Sequence, residues 1–296
     1  MNTVPPWLKK RIILDRAFFE TKKIISDCAV NTVCASSMCP NLNECFSRKK
    51  ATFMILGKVC TRACAFCSVT KGAPEPVDAE EPARIADCAR RLGLRYVIVT
   101  SVTRDDITDG GAAQYARTIE SIRLVSKEVI IEFLVPDFAG QKKSIESVTR
   151  TGADVIGHNI ETVERLYPIV RKGASYKRSL DLLRSVKEIG PGQATKSGIM
   201  VGLGETEEEI IKTMKDLRSA SCDMLTIGQY LRPGKENYPV HRFVTPEEFA
   251  SYKRIAEQLG FKHISSGPFV RSSYFAEEGF KKMEVLNDKY YTPHPC

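Results

Sequence analysis

The chain has 296 residues, of which 43% are apolar and 27% are charged, values that suit one barrel-sized globular domain with extensions. No apolar run approaches the roughly 20 residues of a membrane-spanning helix, and the first residues lack the apolar stretch of a signal peptide, so a cytoplasmic protein is expected. The net charge of +8 favours an acidic partner, although a basic solvated surface explains it equally well.

The predicted elements begin with a helix at 15–27 in an otherwise mixed, polar N-terminal segment. From residue 52 to about residue 268, short apolar runs alternate with amphipathic stretches. The runs are continuous, as expected for parallel strands that are buried on both faces. The predicted strands are Thr52–Leu56, Tyr96–Val102, Val129–Val135, Asp154–Gly157, Ser197–Val201, Met224–Gly228 and His263–Ser265.

Helices are predicted between these strands, at 81–93, 111–125, 141–151 and 176–189 and after Thr206 and Thr245. Thr206 with Glu209 has the pattern of a capping box, and Thr245 repeats it. The repeated β–α order predicts an α/β fold, a partial (βα) barrel of about six parallel strands with N-terminal and C-terminal extensions. An open doubly wound sheet fits less well, because no Gly-x-Gly-x-x-Gly follows the first strand.

Ten cysteines are present, and six of them lie between Cys34 and Cys67. In a reducing compartment this density indicates metal or redox chemistry rather than disulfides. Cys60, Cys64 and Cys67 form a C-x3-C-x2-C pattern directly after the first strand. Three thiolates can hold three irons of a cubane cluster and leave the fourth open to a small ligand. Zinc is the alternative, but it usually needs four ligands, and the first histidine is His158.

This triplet, with Phe66 directly before its third cysteine, resembles that of the radical S-adenosylmethionine superfamily. The resemblance implies a [4Fe-4S] cluster whose open iron binds the amino and carboxylate groups of S-adenosylmethionine. It implies that one electron from the cluster cleaves the sulfonium and gives a 5′-deoxyadenosyl radical. It also implies that Phe66 approaches the adenine.

A second triplet, Cys34, Cys39 and Cys45, lies upstream in a C-x4-C-x5-C pattern. Pro40 and the polar residues after it favour a loop on which three sulfurs converge. Before a radical S-adenosylmethionine triplet, this second one resembles the auxiliary cluster of the lipoyl synthase family. The resemblance runs nearly end to end, through segments at 51–57, 100–106, 109–112, 132–138, 158–162, 196–205 and 225–230.

The segment Arg271–Tyr274 matches the C-terminal signature of that family. The resemblance implies two [4Fe-4S] clusters and a serine oxygen as the fourth ligand of the auxiliary one. Ser273 is predicted to be that ligand, with Ser272 as the alternative. Tyr238 stands where the family usually has histidine, but this departure removes no cluster ligand. The predicted division is 1–50 with the auxiliary cysteines, 51–268 as the barrel and 269–296 as the C-terminal segment.

Polar side chains at or near strand ends are candidates for contacts with S-adenosylmethionine, because the active sites of barrels lie at the carboxyl ends of the strands. For any one of them, a structural hydrogen bond at the start of a loop is an equally good interpretation. Together with Phe66, the candidates are Thr100, Ser101, Arg104, Glu132 and Asn159.

The family resemblance implies sulfur insertion at C6 and C8 of a protein-bound octanoyl-lysine, which gives lipoyl-lysine. The hydrogens on these carbons have no useful acidity, so no side chain is assigned as a general base and the cofactor must supply a radical. In the family the auxiliary cluster is dismantled to supply the sulfur. A hard serine oxygen binds iron less well than a thiolate, so we expect Ser273 to let one iron leave readily.

The implied partners are octanoylated lipoyl-carrier domains, namely E2 subunits of 2-oxoacid dehydrogenases and the glycine cleavage H protein. An electron donor such as flavodoxin or ferredoxin and a cluster-repair protein are also implied, whereas neither nucleic acid nor a membrane is expected. Three other functions stay open: a sulfur inserter of the biotin synthase or methylthiotransferase type, a cluster-carrying electron-transfer or scaffold protein, and a zinc-bearing RNA-binding protein.

Overall fold

A parallel sheet of seven strands forms the centre of the molecule. The computed structural model describes residues 4–290, with side chains described up to residue 283. The strands are β1 (Thr52–Ile55), β2 (Val59–Cys60), β3 (Thr70–Lys71), β4 (Tyr96–Ser101), β5 (Ile130–Leu134), β6 (Val155–Gly157), β7 (Ala194–Val201), β8 (Met224–Gln229) and β9 (His263–Gly267). The large sheet has the order β1-β4-β5-β6-β7-β8-β9, while β2 and β3 form a small parallel pair.

Eleven α-helices lie in the described part of the chain, most of them between successive strands of the large sheet. They are α1 (Arg16–Asp27), α2 (Val33–Ser36), α3 (Leu42–Ser47), α4 (Glu81–Leu92), α5 (Ala112–Val125), α6 (Lys142–Thr149), α7 (Tyr167–Val170), α8 (Tyr176–Ile189), α9 (Glu207–Ser219), α10 (Pro246–Gln258) and α11 (Ala276–Tyr290). None of the described helices is long and apolar enough to cross a membrane.

The prediction of a partial (βα) barrel is confirmed. Strands that follow one another in the large sheet are parallel neighbours, as in a βα barrel. The sheet has seven strands rather than about six, because β9 pairs with β8 from His263 to Gly267. The predicted capping boxes at Thr206 and Thr245 are both formed, and they fix where α9 and α10 begin.

The predicted loop for Cys34, Cys39 and Cys45 is wrong for two of the three cysteines. Cys34 lies in α2 and Cys45 lies in α3, while Cys39 lies in the turn between them. The Thr32 side chain accepts a hydrogen bond from the Ala35 amide and so caps α2. Helices of four and six residues are too short to leave a helical periodicity in the sequence.

The amino ends of the strands are closed from inside by α11. Phe280 and Met283 of this helix pack in one apolar cluster with the first part of several strands, which supplies Tyr96, Ile98, Val155, Ala194 and Met224. The outer faces of the strands pack with the surrounding helices in a separate, larger core. The carboxyl ends of the strands are therefore the open end of the barrel.

The N-terminal and C-terminal segments contact each other directly. The Asn41 side chain donates a hydrogen bond of 2.7 Å to the Phe269 carbonyl, and the Tyr274 hydroxyl donates one of 3.1 Å to Glu44. Lys10 forms an ion pair with the same Glu44 at 2.6 Å. Residues 291–296 of the predicted C-terminal segment lie outside the described residues.

Candidate functional site

The loop that carries Cys60, Cys64 and Cys67 is clamped at Arg62. The Arg62 guanidinium binds Asp105 after β4 and Asp137 after β5, each at 2.7 Å. Asp137 is buried and also binds Arg178 of α8 at 2.7 Å. Burial alone would raise the pKa of Asp137, but Arg62 and Arg178 hold that pKa well below its usual range. The loop is therefore fixed to two of the following strands.

The three thiols of this loop lie close enough to affect one another. Burial raises the pKa of Cys64 to about 11, and the neighbouring thiols of Cys67 and Cys60 add to the effect. Burial and the Cys60 thiol also raise the pKa of Cys67. The Cys60 sulfur accepts hydrogen bonds of 3.4 Å from the backbone amides of Arg62 and Thr103. The triplet is thus a compact, half-buried set of sulfur donors.

No group of three or more His, Cys, Asp or Glu side chains within the described residues is arranged to hold a single metal ion. In a cubane cluster each thiolate binds a different iron, so three cluster ligands do not converge on one ion. The donor set of the loop fits three corners of such a cluster, because it offers three soft sulfurs and nearby backbone donors.

Two charged side chains face this triplet, and the sequence reasoning assigned neither of them a role. Glu161 and Arg171 both act on the pKa of Cys64, Glu161 raising it and Arg171 lowering it. Burial raises the pKa of Glu161, and Arg171 opposes that rise. The Arg171 guanidinium donates hydrogen bonds to the hydroxyl oxygens of Tyr167, at 2.8 Å, and Ser179, at 3.0 Å. The triplet therefore has an oriented cation and a half-buried carboxyl near it.

The second triplet lies in a cavity of about 330 Å³. Cys34, Cys39 and Cys45 line it together with Ser273 from the C-terminal segment and Arg271 beside it. Burial raises the pKa of Cys34 to about 11, and the Cys39 thiol adds to the effect. Burial also raises the pKa of Cys45 to about 12, with further contributions from the thiols of Cys34 and Cys39. Three sulfurs and one hydroxyl thus line one cavity.

The C-terminal segment reaches this cavity by passing along β8. A Cβ atom at Gly228 would lie 2.1 Å from the carbonyl oxygen of Val270, so this strand position requires glycine. The two candidate serine ligands have different surroundings. Ser273 lines the cavity with the cysteines, whereas the Ser272 hydroxyl accepts a hydrogen bond of 2.6 Å from the Asn159 side chain.

Asn159 and Phe66 lie where a ligand of the first triplet could contact them. The Asn159 Oδ1 atom is buried and has no hydrogen-bond partner among the described residues. Asn159 also acts on the pKa of the neighbouring Glu161 carboxyl. Phe66, which lies between Cys64 and Cys67 in the chain, is half-buried and packs against the main core. Both residues have groups that a ligand could still engage.

Thr100 and Arg104 are engaged in the protein itself, whereas Ser101 is not. The Thr100 hydroxyl donates to the Leu134 carbonyl at 2.9 Å. Ser101 follows it on the opposite face of β4, and its buried Oγ atom has no hydrogen-bond partner among the described residues. Arg104 is buried and binds Asp106 through two nitrogens, each at 2.9 Å. Thr100 and Arg104 therefore stabilise the end of β4 and the loop that follows it.

Glu132 also lies in a structural network. It binds Lys196 at 2.8 Å and accepts a hydrogen bond of 2.6 Å from the Tyr96 hydroxyl. All three side chains are buried, and Tyr96 belongs to the apolar cluster around α11. Glu132 is therefore part of the interior near the closed end of the barrel, not of the open end where the triplet lies.

The chain is similar to proteins of known function along almost its entire length. A family model of the radical SAM superfamily matches residues 54–217. Lipoyl synthase of Caldanaerobacter subterraneus is 56% identical over 93% of this chain and 96% of the relative. Lipoyl synthase of Caldicellulosiruptor bescii is 53% identical over 92% of this chain and 94% of the relative. The chain belongs to the lipoyl synthase family.

Membership in the lipoyl synthase family makes this chain a radical S-adenosylmethionine sulfurtransferase that forms lipoyl groups on carrier proteins. S-adenosylmethionine and a [4Fe-4S] cluster are the cofactors of that superfamily. The fold is also similar to the crystal structure of methylornithine synthase, with a TM-score of 0.54 and 16% identity over 85% of this chain and 75% of that chain. At that identity the similarity shows the barrel alone.

Proposed function

We propose that this enzyme inserts two sulfur atoms, at C6 and C8 of a protein-bound octanoyl-lysine, and that a second [4Fe-4S] cluster supplies them. Cys34, Cys39, Cys45 and Ser273 would hold that cluster. The observation that carries the proposal is the cavity that these four residues share. Thiolates are soft ligands that bind iron well. The Ser273 oxygen is a hard ligand, so its bond to iron would be the weakest of the four. The raised pKa values of Cys34 and Cys45 mean that metal binding would displace protons from these two thiols.

We propose that Cys60, Cys64 and Cys67 hold the first cluster beside S-adenosylmethionine. When bound, this pair supplies the one-electron chemistry that C–H bonds without acidity require. Arg171 would bind the carboxylate of the cofactor, because its guanidinium is already oriented by Tyr167. Glu161 and the free Oδ1 of Asn159 would accept hydrogen bonds from its donors. Phe66 would pack on the adenine.

The partners belong to the same proposal. The net charge of +8 suits docking to acidic lipoyl-carrier domains, such as E2 subunits and the glycine cleavage H protein. A flavodoxin or ferredoxin would supply electrons, and a cluster-repair protein would rebuild the auxiliary cluster between turnovers. In this proposal residues 1–50 carry the auxiliary cysteines, residues 51–268 form the barrel, and residues 269–296 carry the serine ligand.

Iron and sulfide counts after anaerobic reconstitution test the proposal. The wild type should bind about eight irons, and a Cys34/Cys39/Cys45→Ala variant should bind about four, because each triplet would carry one [4Fe-4S] cluster. The matched control is a triple variant of Cys28, Cys88 and Cys222, which are buried cysteines outside both triplets. This control should keep about eight irons.

The same variants separate sulfur insertion from cofactor cleavage. The auxiliary-triplet variant should still cleave S-adenosylmethionine but should form no lipoyl product on an octanoyl-lysine peptide. Lipoyl formation by that variant, or an iron count equal to that of the wild type, would rule out the auxiliary cluster as the sulfur donor.

A further inference from the structure

A segment after β8, residues 230–244, crosses the open end of the barrel and is called the strap here. Both of its ends are tied to the end of β7, through the Tyr230 amide to the Val201 carbonyl at 2.8 Å and the His241 amide to the Gly202 carbonyl at 2.9 Å. The buried Gln229 side chain holds the strap as well, because it accepts from the Val244 amide at 2.8 Å. The strap is therefore a fixed element despite its lack of regular secondary structure.

The middle of the strap binds the loop of the first cysteine triplet. The Asn237 side-chain nitrogen donates to the carbonyl oxygens of Ala65, at 3.2 Å, and Cys67, at 3.1 Å. The Tyr238 backbone amide donates to the same Ala65 carbonyl at 2.9 Å. Both partners of the Asn237 nitrogen are acceptors, so the amide can only be oriented with its NH₂ group toward the loop. Asn237 is 5% exposed, and water is therefore a poor substitute partner.

These contacts hold the half of the loop that Arg62 does not reach. Arg62 fixes the first half, between Cys60 and Cys64, to the loops after β4 and β5. Asn237 binds the carbonyls on either side of Phe66, and so it sets the two peptide planes that direct the Phe66 ring and the Cys67 sulfur. Dipoles and hydrogen bonds beside a cluster also tune its reduction potential.

We propose that Asn237 is a positioning residue for the first cluster, holding Phe66 and Cys67 in place from the opposite side of the barrel. This inference rests on the proposed role of Cys60, Cys64 and Cys67 as cluster ligands. Asn237 touches neither the cluster sulfurs nor the substrate in this proposal, and it acts through the backbone of the loop. A small displacement of the loop would then change both the potential of the cluster and the fit of the cofactor.

The test compares Asn237→Asp with Gln193→Glu in anaerobically reconstituted full-length protein. Gln193 is a matched control, because its amide nitrogen also bridges two carbonyls, of Ala153 at 3.0 Å and Asp154 at 3.1 Å, near the closed end of the barrel. Both substitutions replace an amide donor with a carboxylate that faces carbonyl oxygens. The readouts are iron content, the EPR spectrum and midpoint potential of the reduced first cluster with S-adenosylmethionine, and the rate of 5′-deoxyadenosine formation.

We expect Asn237→Asp to keep its iron, to shift the EPR spectrum and the potential, and to slow cofactor cleavage by about tenfold to a hundredfold, the size of effect that a displaced reacting group produces. Gln193→Glu should change none of these. If Asn237→Asp does not fold, the neutral Asn237→Ser variant should show the same spectral shift with a smaller loss of rate.

Three results would overturn the inference. An Asn237 variant with the spectrum, potential and cleavage rate of the wild type would show that the loop does not need the strap. Equal changes in the Gln193 variant would show general destabilisation instead. A folded Asn237→Ser variant without a spectral shift would also show that the loop does not need the strap. Failure of the proposed function is distinguishable, because the wild type itself would then bind no iron on the first triplet or fail to cleave the cofactor.

Discussion

Ser272 and Ser273 are neighbours in the chain, yet the structure gives them different surroundings. Ser272 accepts a hydrogen bond from Asn159, beside the first cysteine triplet, while Ser273 lines the cavity of the second triplet. Both lie in a turn that is closed by a hydrogen bond of 3.0 Å from the Tyr274 amide to the Arg271 carbonyl, so one short segment can serve both sites. The sequence signature alone could not distinguish the two serines, because both hydroxyls have the same chemistry.

Alanine at each serine should separate these roles. Ser273→Ala should lower the iron retained on the second triplet during gel filtration, because one corner of the proposed cluster loses its protein ligand. Ser272→Ala should retain the iron of the wild type and instead weaken S-adenosylmethionine binding by about fivefold to tenfold, the effect of removing about one hydrogen bond. Iron counts and equilibrium binding of the cofactor check the pair, and the reverse pattern would make Ser272 the ligand.

Both cysteine triplets and the serine could be proposed as ligands from the sequence, because each has a spacing or signature that is visible in the chain itself. The sequence could not show that Glu161 and Arg171 both influence Cys64, since this depends on the path of the chain after β6. Glu132 was expected at the cofactor because it lies within a predicted strand of the barrel. Its partner Lys196 lies 64 residues further on, and only the barrel brings the two together.

Among the secondary-structure elements, the beginnings of β7, β8 and β9 are joined by Asp223. Its buried carboxylate accepts hydrogen bonds from the Thr195 amide at 3.0 Å and forms ion pairs with Lys187 and Lys262. Burial alone would raise the pKa of Asp223, but the two lysines and the amide lower it overall. The longer strands and helices were predictable from their apolar patterns, whereas this joint has no local pattern that would mark it.

Replacement of Asp223 should destabilise the fold. Asp223→Asn leaves Lys187 without its buried partner, and we expect a loss of about 3 kcal/mol in the free energy of unfolding. Asp181→Asn is the control, because its ion pair with Lys177 is exposed and should contribute less than about 1 kcal/mol. Urea titrations measure both, and equal losses in the two variants would contradict the argument.

The pH dependence of stability should follow from the same residue. Since folding lowers the pKa of Asp223, its contribution is fully present above the unfolded value of about 4 and is lost as pH falls through the folded value. The difference in unfolding free energy between wild type and Asp223→Asn should therefore be constant near neutral pH and shrink below about pH 4. A difference that grew on acidification would have the wrong sign.

At the scale of the whole molecule, α11 decides which end of the barrel is open. Phe280 is 6% exposed and packs its ring 6.0 Å from that of Tyr96 at the beginning of β4. Phe280→Ala should therefore cost about 3–5 kcal/mol of stability. Phe19→Ala should cost less than about 1 kcal/mol, because Phe19 on α1 is 55% exposed. Thermal and urea unfolding compare the two, and similar losses would mean that α11 does not close the barrel.

Both cysteine triplets lie in the first quarter of the chain, yet each is completed by segments that are translated last. The loop with Cys67 receives its hydrogen bonds from Asn237, and the N-terminal segment is fixed at Asn41 by Phe269. At roughly 5–20 residues per second, about 10–40 s separate the synthesis of Cys67 from that of Tyr274. During that interval the nascent chain exposes six thiols without their finished pockets. Until Asn237 and Phe269 have been synthesised, oxidants can therefore reach these thiols.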